Sequence, residues 1–321
     1  MPRIIDMHCH VYPPEVARAD PNWPGGDCPI TIESLLESHS RAGIDFCVVT
    51  NPGHYLKYLE DDQALDGLKR WHEYAAEIQQ TYGDRVVCFA SSIPGGGDAF
   101  NAEFERAITQ YGLKGCFINS SHRGTYPDED AARPFFRLAV ELGVPVMIHA
   151  PHSSFGEDCM NMYRLISSVG RPADESLAIA RMIVRGVFEE LPELRLICAH
   201  VGGGICEVLP RMDVAYELGD YANFLGSYTP LLITKKPSEY AKLLYFDSAS
   251  YFSPVIRLGI ETVGADHMLF GSDAPPLVPM LPRMEELINE LQLSHRDREA
   301  IFSRNAMSLC NLADPFAKTA H

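Results

Sequence analysis

Short apolar and β-branched runs recur along the chain and alternate with segments whose apolar positions repeat at helical spacing. The runs are Arg3–Asp6, Phe46–Thr50, Val86–Ala90, Gly115–Asn119, Pro145–His149, Arg195–His200, Leu244–Asp247 and His267–Gly271. Runs apolar on both faces, such as Phe46-Cys47-Val48-Val49, suit strands covered on each side, as parallel strands are. Amphipathic segments lie between them, for example Asp66–Tyr82 and Ala99–Tyr111. This alternation predicts an α/β fold, a single (β/α)8 TIM-type barrel domain over residues 1–321 with loop insertions. Ile93-Pro94-Gly95-Gly96-Gly97 and Asp273-Ala274-Pro275-Pro276 each follow a strand directly and read as βα loops. Pro151–Ala173 and Tyr216–Pro237 are the longest insertions, of the kind that serve as lids or subunit contacts.

Composition narrows the partners. With 27 Lys and Arg against 43 Asp and Glu, the formal charge is −16, and no basic block occurs. Such a field repels the phosphates of nucleic acid and anionic membranes. No apolar run approaches the roughly 20 residues of a membrane span, and Met1-Pro2-Arg3 leads straight into the first strand, so a soluble cytoplasmic protein is expected. The nine cysteines include no C-x-x-C pair and several sit in apolar strand runs, where they read as reduced core residues.

Candidate chemistry collects at strand ends. Asp6-Met7-His8-Cys9-His10 closes the first run. Alternation along extended backbone points His8 and His10 the same way, able to close on one ion, with Asp6 below to support them. An isolated H-x-H is equally compatible with solvated loop histidines. Three more strands end in possible ligands, however: His149 after Val146-Met147-Ile148, His200 after Leu196-Ile197-Cys198-Ala199, and Asp273 after Leu269-Phe270-Gly271-Ser272. Barrel enzymes converge their catalytic groups at these C-terminal strand ends. The alternative for the set is core histidines bonded to backbone.

From Gly170-Arg171-Pro172-Ala173-Asp174-Glu175, through Gly186-Val187-Phe188-Glu189-Glu190-Leu191-Pro192, to Ala199-His200-Val201-Gly202-Gly203-Gly204, the chain resembles the decarboxylase branch of the amidohydrolase superfamily. That is the family typified by 2-amino-3-carboxymuconate-6-semialdehyde decarboxylase, and the likeness covers nearly the whole chain. It implies one divalent ion, zinc first and manganese second, held by His8, His10, His149 and Asp273. It implies His200 as the acid/base beside it, a fifth ligand being the competing role. Neutral imidazoles and a carboxylate suit such an ion. Lys114 stands at the beginning of its strand, away from the rim where binuclear relatives carry a modified lysine, so one ion is expected.

Arg211, eleven residues after His200, matches the family's spacing to an arginine that reaches a substrate carboxylate from the neighbouring subunit, which implies a homodimer. A surface arginine beginning a helix is the alternative. The family's other carboxylate-binding arginine lies in a segment shortened here to Asn22–Gly43, and Arg41 does not obviously replace it. His122, Arg123, His152 and His54 fall on loops at the presumed mouth, placed to bind a polar ring substituent. Asp247 ends the seventh strand, where it is placed to orient the site, and Tyr12 follows the histidine pair, while Trp71 and Phe100 read as packing residues. The expected reaction is nonoxidative decarboxylation of a small aromatic or unsaturated carboxylic acid. The alternatives are hydrolysis of a lactone, amide or ester-like bond and hydration of an unsaturated diacid; a noncatalytic metal scaffold is the reading outside enzymes.

Overall fold

A computed structural model describes residues 3–13, 31–51, 59–150, 156–275 and 277–316. Parallel strands follow one another in sequence order: β1 (Ile5–His10), β2 (Phe46–Thr50), β3 (Val86–Cys88), β4 (Ala90–Ser91), β5 (Cys116–Asn119), β6 (Val146–His149), β7 (Leu196–Cys198), β8 (Tyr245–Asp247) and β9 (Met268–Leu269). β3 and β4 are two halves of the third expected strand, interrupted at Phe89. They divide the strands into a sheet β1-β2-β3 and a sheet β4 through β9.

Backbone hydrogen bonds cross both seams. Lys114 N–H donates to Cys88 O at 2.9 Å beside the break. At the other seam Met7 N–H donates to Phe270 O at 2.9 Å, His10 N–H to Ala274 O at 2.8 Å and Asp273 N–H to His8 O at 2.8 Å. The first strand therefore meets the last, as the circular order of a (β/α)8 arrangement requires.

The helices that cover this wall include α1 (Ile32–Arg41), α2 (Asp61–Tyr82), α3 (Asp98–Thr109), α4 (Arg133–Glu141), α5 (Arg171–Val184), α6 (Ile205–Leu218), α7 (Ser253–Val263) and α8 (Leu281–Asn289). Each start has a local cause. Thr31 caps α1 by accepting Ser34 N–H, and Glu60 N–H donates to Gln63 Oε1 at the head of α2. On α1 the buried positions Ile32, Leu35, Leu36 and His39 form one stripe toward the strands. Ile5, Met7, Phe46, Val48, Phe89, Phe117, Met147, Ile197 and Leu269 fill the barrel interior, while the larger cluster packs strands against helices. Trp71 is fully buried, its Nε1–H donating to Phe89 O at 3.0 Å, and Phe100 is buried beside α2.

Several expected boundaries move. β1 runs on from Asp6 to His10, so both histidines of the pair lie on the strand itself. The sixth expected strand stops at Cys198, because His200 and Val201 take left-handed backbone (φ 52° and 54°) that no strand continues. α2 begins at Asp61, five residues before its apolar pattern, because acidic residues and the Glu60 cap extend the first turn. Arg211 stands inside α6, not at its start. Cys159 is exposed in a short 3-10 turn, so it is no core residue; the other described cysteines are buried and unpaired. No helix among the described residues is long and apolar enough to cross a membrane.

Candidate active site

Four imidazoles meet at the C-terminal strand ends. Ring centroids of His8 lie 5.0 Å from those of His10, His149 and His200, and His10 and His149 are 5.2 Å apart. Asp273 joins them. Its Oδ1 is 3.3 Å from Nε2 of His8 and of His10 and 3.8 Å from Nε2 of His149, while Oδ2 is 3.4 Å from Nε2 of His200. Single ligand atoms of His8, His149, His200 and Asp273 all lie within 4.8 Å of one another. His10 enters through its contact with Asp273 Oδ1.

The partners of the outer nitrogens decide how these rings face. His8 Nδ1–H donates to Asp247 Oδ2 at 2.7 Å. Thr50 donates its hydroxyl to Cys9 O, which leaves Thr50 Oγ1 to accept His10 Nδ1–H at 2.7 Å. His149 Nδ1–H donates to Ala150 O at 2.8 Å, and His200 Nδ1–H to both oxygens of Glu175 at 3.0 Å. All four rings are thereby turned with Nε2 toward Asp273. The Nε2 atoms of His8 and His149 are buried and have no hydrogen-bond partner. Buried polar atoms are seldom left so, and three Nε2 lone pairs about one carboxylate oxygen fit a divalent cation.

Two left-handed turns complete the arrangement. His200 (φ 52°) and Asp273 (φ 56°) leave their strands in a conformation costly for residues other than glycine. Asp247 Oδ1 helps hold the first by accepting His200 N–H at 3.0 Å. Glycines allow the close approach. A Cβ at Gly203 would fall 2.2 Å from Pro172 O and 2.9 Å from Glu175 Cβ, and one at Gly271 would fall 2.9 Å from the Cβ atoms of His8 and Asp247.

Electrostatics follow from burial and the carboxylates. Burial opposes charge on His8, but Asp247 and Asp273 raise its pKa to about 9. His10 and His149, where burial prevails over Asp273, fall to about 4. His200 is held well above its ordinary value, Glu175 and Asp273 outweighing burial. Asp273 stays far below the usual carboxylate range: burial would raise its pKa, but the four rings gathered about it, with hydrogen bonds from His10 and His200, outweigh that. Tyr251, with φ 58°, directs its hydroxyl to Ser272 O at 3.3 Å and Asp273 Oδ2 at 3.4 Å.

The remaining expected residues scatter. His122 has a buried Nδ1 without a partner, and burial lowers its pKa. Arg123 turns its guanidinium to Asp61 Oδ1 at 3.0 Å and to Leu59 O. Arg211 is exposed on α6 and makes no ion pair with the cluster. Tyr12 is buried, and Lys114 lies two residues before β5. Arg41 pairs with Glu37 on the surface. His152 and His54 lie outside the described residues. Glu175, Thr50 and His39 were not singled out by sequence, although Glu175 sits in the quoted Arg171-Pro172 segment at the start of α5.

The family model described as amidohydrolase matches residues 5–310. The chain is 27% identical over 283 residues to the 2-amino-3-carboxymuconate-6-semialdehyde decarboxylase of Dictyostelium discoideum, covering 87% of this chain and 76% of that protein. It is 27% identical over 220 residues to a 2-keto-4-carboxy-3-hexenedioate hydratase of a Sphingobium strain, covering 64% of this chain and 58% of that one. Among solved structures, the 5-carboxyvanillate decarboxylase of Novosphingobium aromaticivorans, complexed with manganese and 4-hydroxy-3-methoxy-5-nitrobenzoic acid, superposes with a TM-score of 0.83. It is 20% identical, with 97% of this chain and 96% of that chain covered.

Proposed function

The chain belongs to the amidohydrolase family, and from that premise we propose that it is a metal-dependent enzyme releasing carbon dioxide nonoxidatively from a small aromatic or unsaturated carboxylic acid. The observation that carries this reading is the inward turn of four Nε2 atoms about Asp273, with His200 held on its outer nitrogen by both oxygens of Glu175 and its Nε2 facing Asp273 Oδ2. His8, His10, His149 and Asp273 Oδ1 would hold the ion and His200 would serve as acid, facing the other carboxylate oxygen. Zinc suits three imidazoles and a carboxylate; the manganese in the carboxyvanillate enzyme makes that metal the alternative. When bound, the ion supplies Lewis-acid polarisation of substrate oxygens.

The chain's own residues do the rest. Glu175 fixes the tautomer and orientation of His200, so that Nε2–H points into the site. His200 gives that proton to the carbon bearing the carboxyl group. A substrate π pair forms the new C–H bond; the bond from this carbon to the carboxyl carbon then breaks, its electron pair restores the π bond, carbon dioxide leaves, and solvent reprotonates His200. His122, whose buried Nδ1 has no partner, would bind a ring substituent; Arg123, spent on Asp61, is a weaker candidate, and His152 remains a candidate from sequence alone.

We take the described elements as one domain and the active species as a homodimer. Val208, Arg211, Val214 and Leu218 share an exposed face of α6, and Tyr221, Phe224, Leu225 and Leu231 beyond it are exposed too. An apolar surface of this extent suits a subunit contact, and Arg211 within it would serve the partner's site. Unpaired buried cysteines favour a reducing compartment such as the cytoplasm. The named relatives support decarboxylation first, and the hydratase keeps hydration of an unsaturated diacid as the second reading. Screening the metal-loaded protein against aromatic carboxylates, unsaturated diacids and lactones, with carbon dioxide and acid release followed together, tests the choice.

A further inference from the structure

We propose that His39, on α1 and outside the ring of imidazoles, is a positioning residue that holds the metal centre together through Asp6. The inference rests on the metal reading above. Asp6 is fully buried and takes four donors. His8 N–H at 3.0 Å and Ser272 N–H at 3.1 Å reach Oδ1, and His39 Nε2 at 2.8 Å and Ser272 Oγ at 2.5 Å reach Oδ2. One carboxylate thus joins β1, which carries His8 and His10, to the turn that carries Asp273.

His39 supplies both the fourth bond and the countercharge. Its Nδ1 faces Leu35 O at 2.9 Å, an atom that only accepts. Its Nε2 faces a carboxylate, so both ring nitrogens donate and the ring is an imidazolium. With His39 at 1% exposure and Asp6 at 0%, removing the ring leaves a buried carboxylate short of a donor and without a compensating cation. The carboxylate must then shift, carrying β1 and the Ser272 turn out of register with each other. Asp6, Cys9 and His39 also lie close enough to be considered for an ion of their own. The four donors already on Asp6 leave it no lone pair for that role, so the group reads as a support.

The test compares His39→Ala with His72→Ala. His72 is equally buried and bonded to a carboxylate, Glu103, at 2.6 Å, but it takes no part in the cluster. Manganese affinity is read by chelator competition, and the bound ion's surroundings by its electron paramagnetic resonance spectrum. His39→Ala should lose about 10–100-fold in manganese affinity, the usual cost of losing an outer-shell support, and alter the spectrum. His72→Ala should lower the melting temperature and leave both readouts unchanged. His39→Gln, which keeps one N–H for Asp6, should fall between, and it carries the test if His39→Ala does not fold. Wild-type affinity and spectrum in both His39 variants would overturn the proposal while leaving the metal reading intact. Absence of manganese binding by the wild-type chain would instead remove the metal reading, and this proposal with it.

Discussion

Asp247 ends β8 and accepts His8 Nδ1–H at 2.7 Å, with both side chains wholly out of solvent. The same carboxylate accepts the backbone N–H of His200 and of Ala249. One residue thereby sets the tautomer of a proposed ligand and the turn of the proposed acid. Asp247→Asn can still accept one bond but no longer holds His8 as a charged acceptor does. Metal affinity should fall about 10–100-fold. Elemental analysis after graded chelator dialysis checks this; full retention of metal would separate Asp247 from the ion.

His200→Asn should keep the ion and lose turnover by about 10²–10⁴-fold, the span of general acid catalysis. Glu175→Gln should lower kcat in the same direction by less, since the amide still orients the ring without its charge. Metal content and kcat measured on the same preparations distinguish this from ligand loss. Loss of the ion in His200→Asn would make His200 a ligand, the alternative that its place among the four mutually close groups keeps open.

Much of this site was legible in the sequence, and the part that was not has a common cause. His8, His10 and His149 stand on or at the ends of strands whose apolar pattern is plain, and alternation alone aims the first pair together. Their supports are different. Asp247 lies 239 residues from His8, and Glu175 meets His200 from a helix 25 residues earlier, so no local period reveals either pairing. His39 reads along α1 as one polar residue in an amphipathic stripe, and only tertiary contact shows that it is buried against Asp6. The left-handed turn at His200 hid in a run that looked like continuing strand, and the one at Asp273 in an expected loop, because nothing at non-glycine positions announces positive φ. Phe89, which divides the third strand, gave no sign either: its apolar flanks read as uninterrupted β.

Arg211 takes no carboxylate partner among the described residues and sits among exposed apolar side chains of α6. Coexpressing an Arg211→Ala chain with a His8→Ala chain should yield mixed dimers that recover activity, since one composite site regains both groups. Assay of purified heterodimers checks it. Proven mixing with no recovery would confine Arg211 to its own subunit or remove it from catalysis.

Away from the site, Glu103 accepts His72 Nδ1–H at 2.6 Å and two Arg106 donors at 2.8 and 2.9 Å. Burial would raise its pKa, but these bonds lower it from 4.5 to about 2. A depressed folded pKa adds stability above the unfolded value, and that stability is lost as pH falls through about 2. Glu103→Gln should therefore cost about 2–3 kcal/mol near neutral pH, with the difference from wild type shrinking below about pH 4.5. Denaturant titrations at pH 7 and in acid give the comparison, and a penalty independent of pH would assign the loss to packing.

The most direct measurement follows the fate of carbon and solvent in one turnover. With a substrate found in the screen, the reaction is run in heavy water and separately in oxygen-18 water, and carbon dioxide is collected. Proton transfer from His200 to carbon predicts one equivalent of carbon dioxide, deuterium on the carbon that bore the carboxyl group, and no solvent oxygen in the product. Solvent oxygen in the product without carbon dioxide release would contradict decarboxylation and transfer the same site to hydration or hydrolysis.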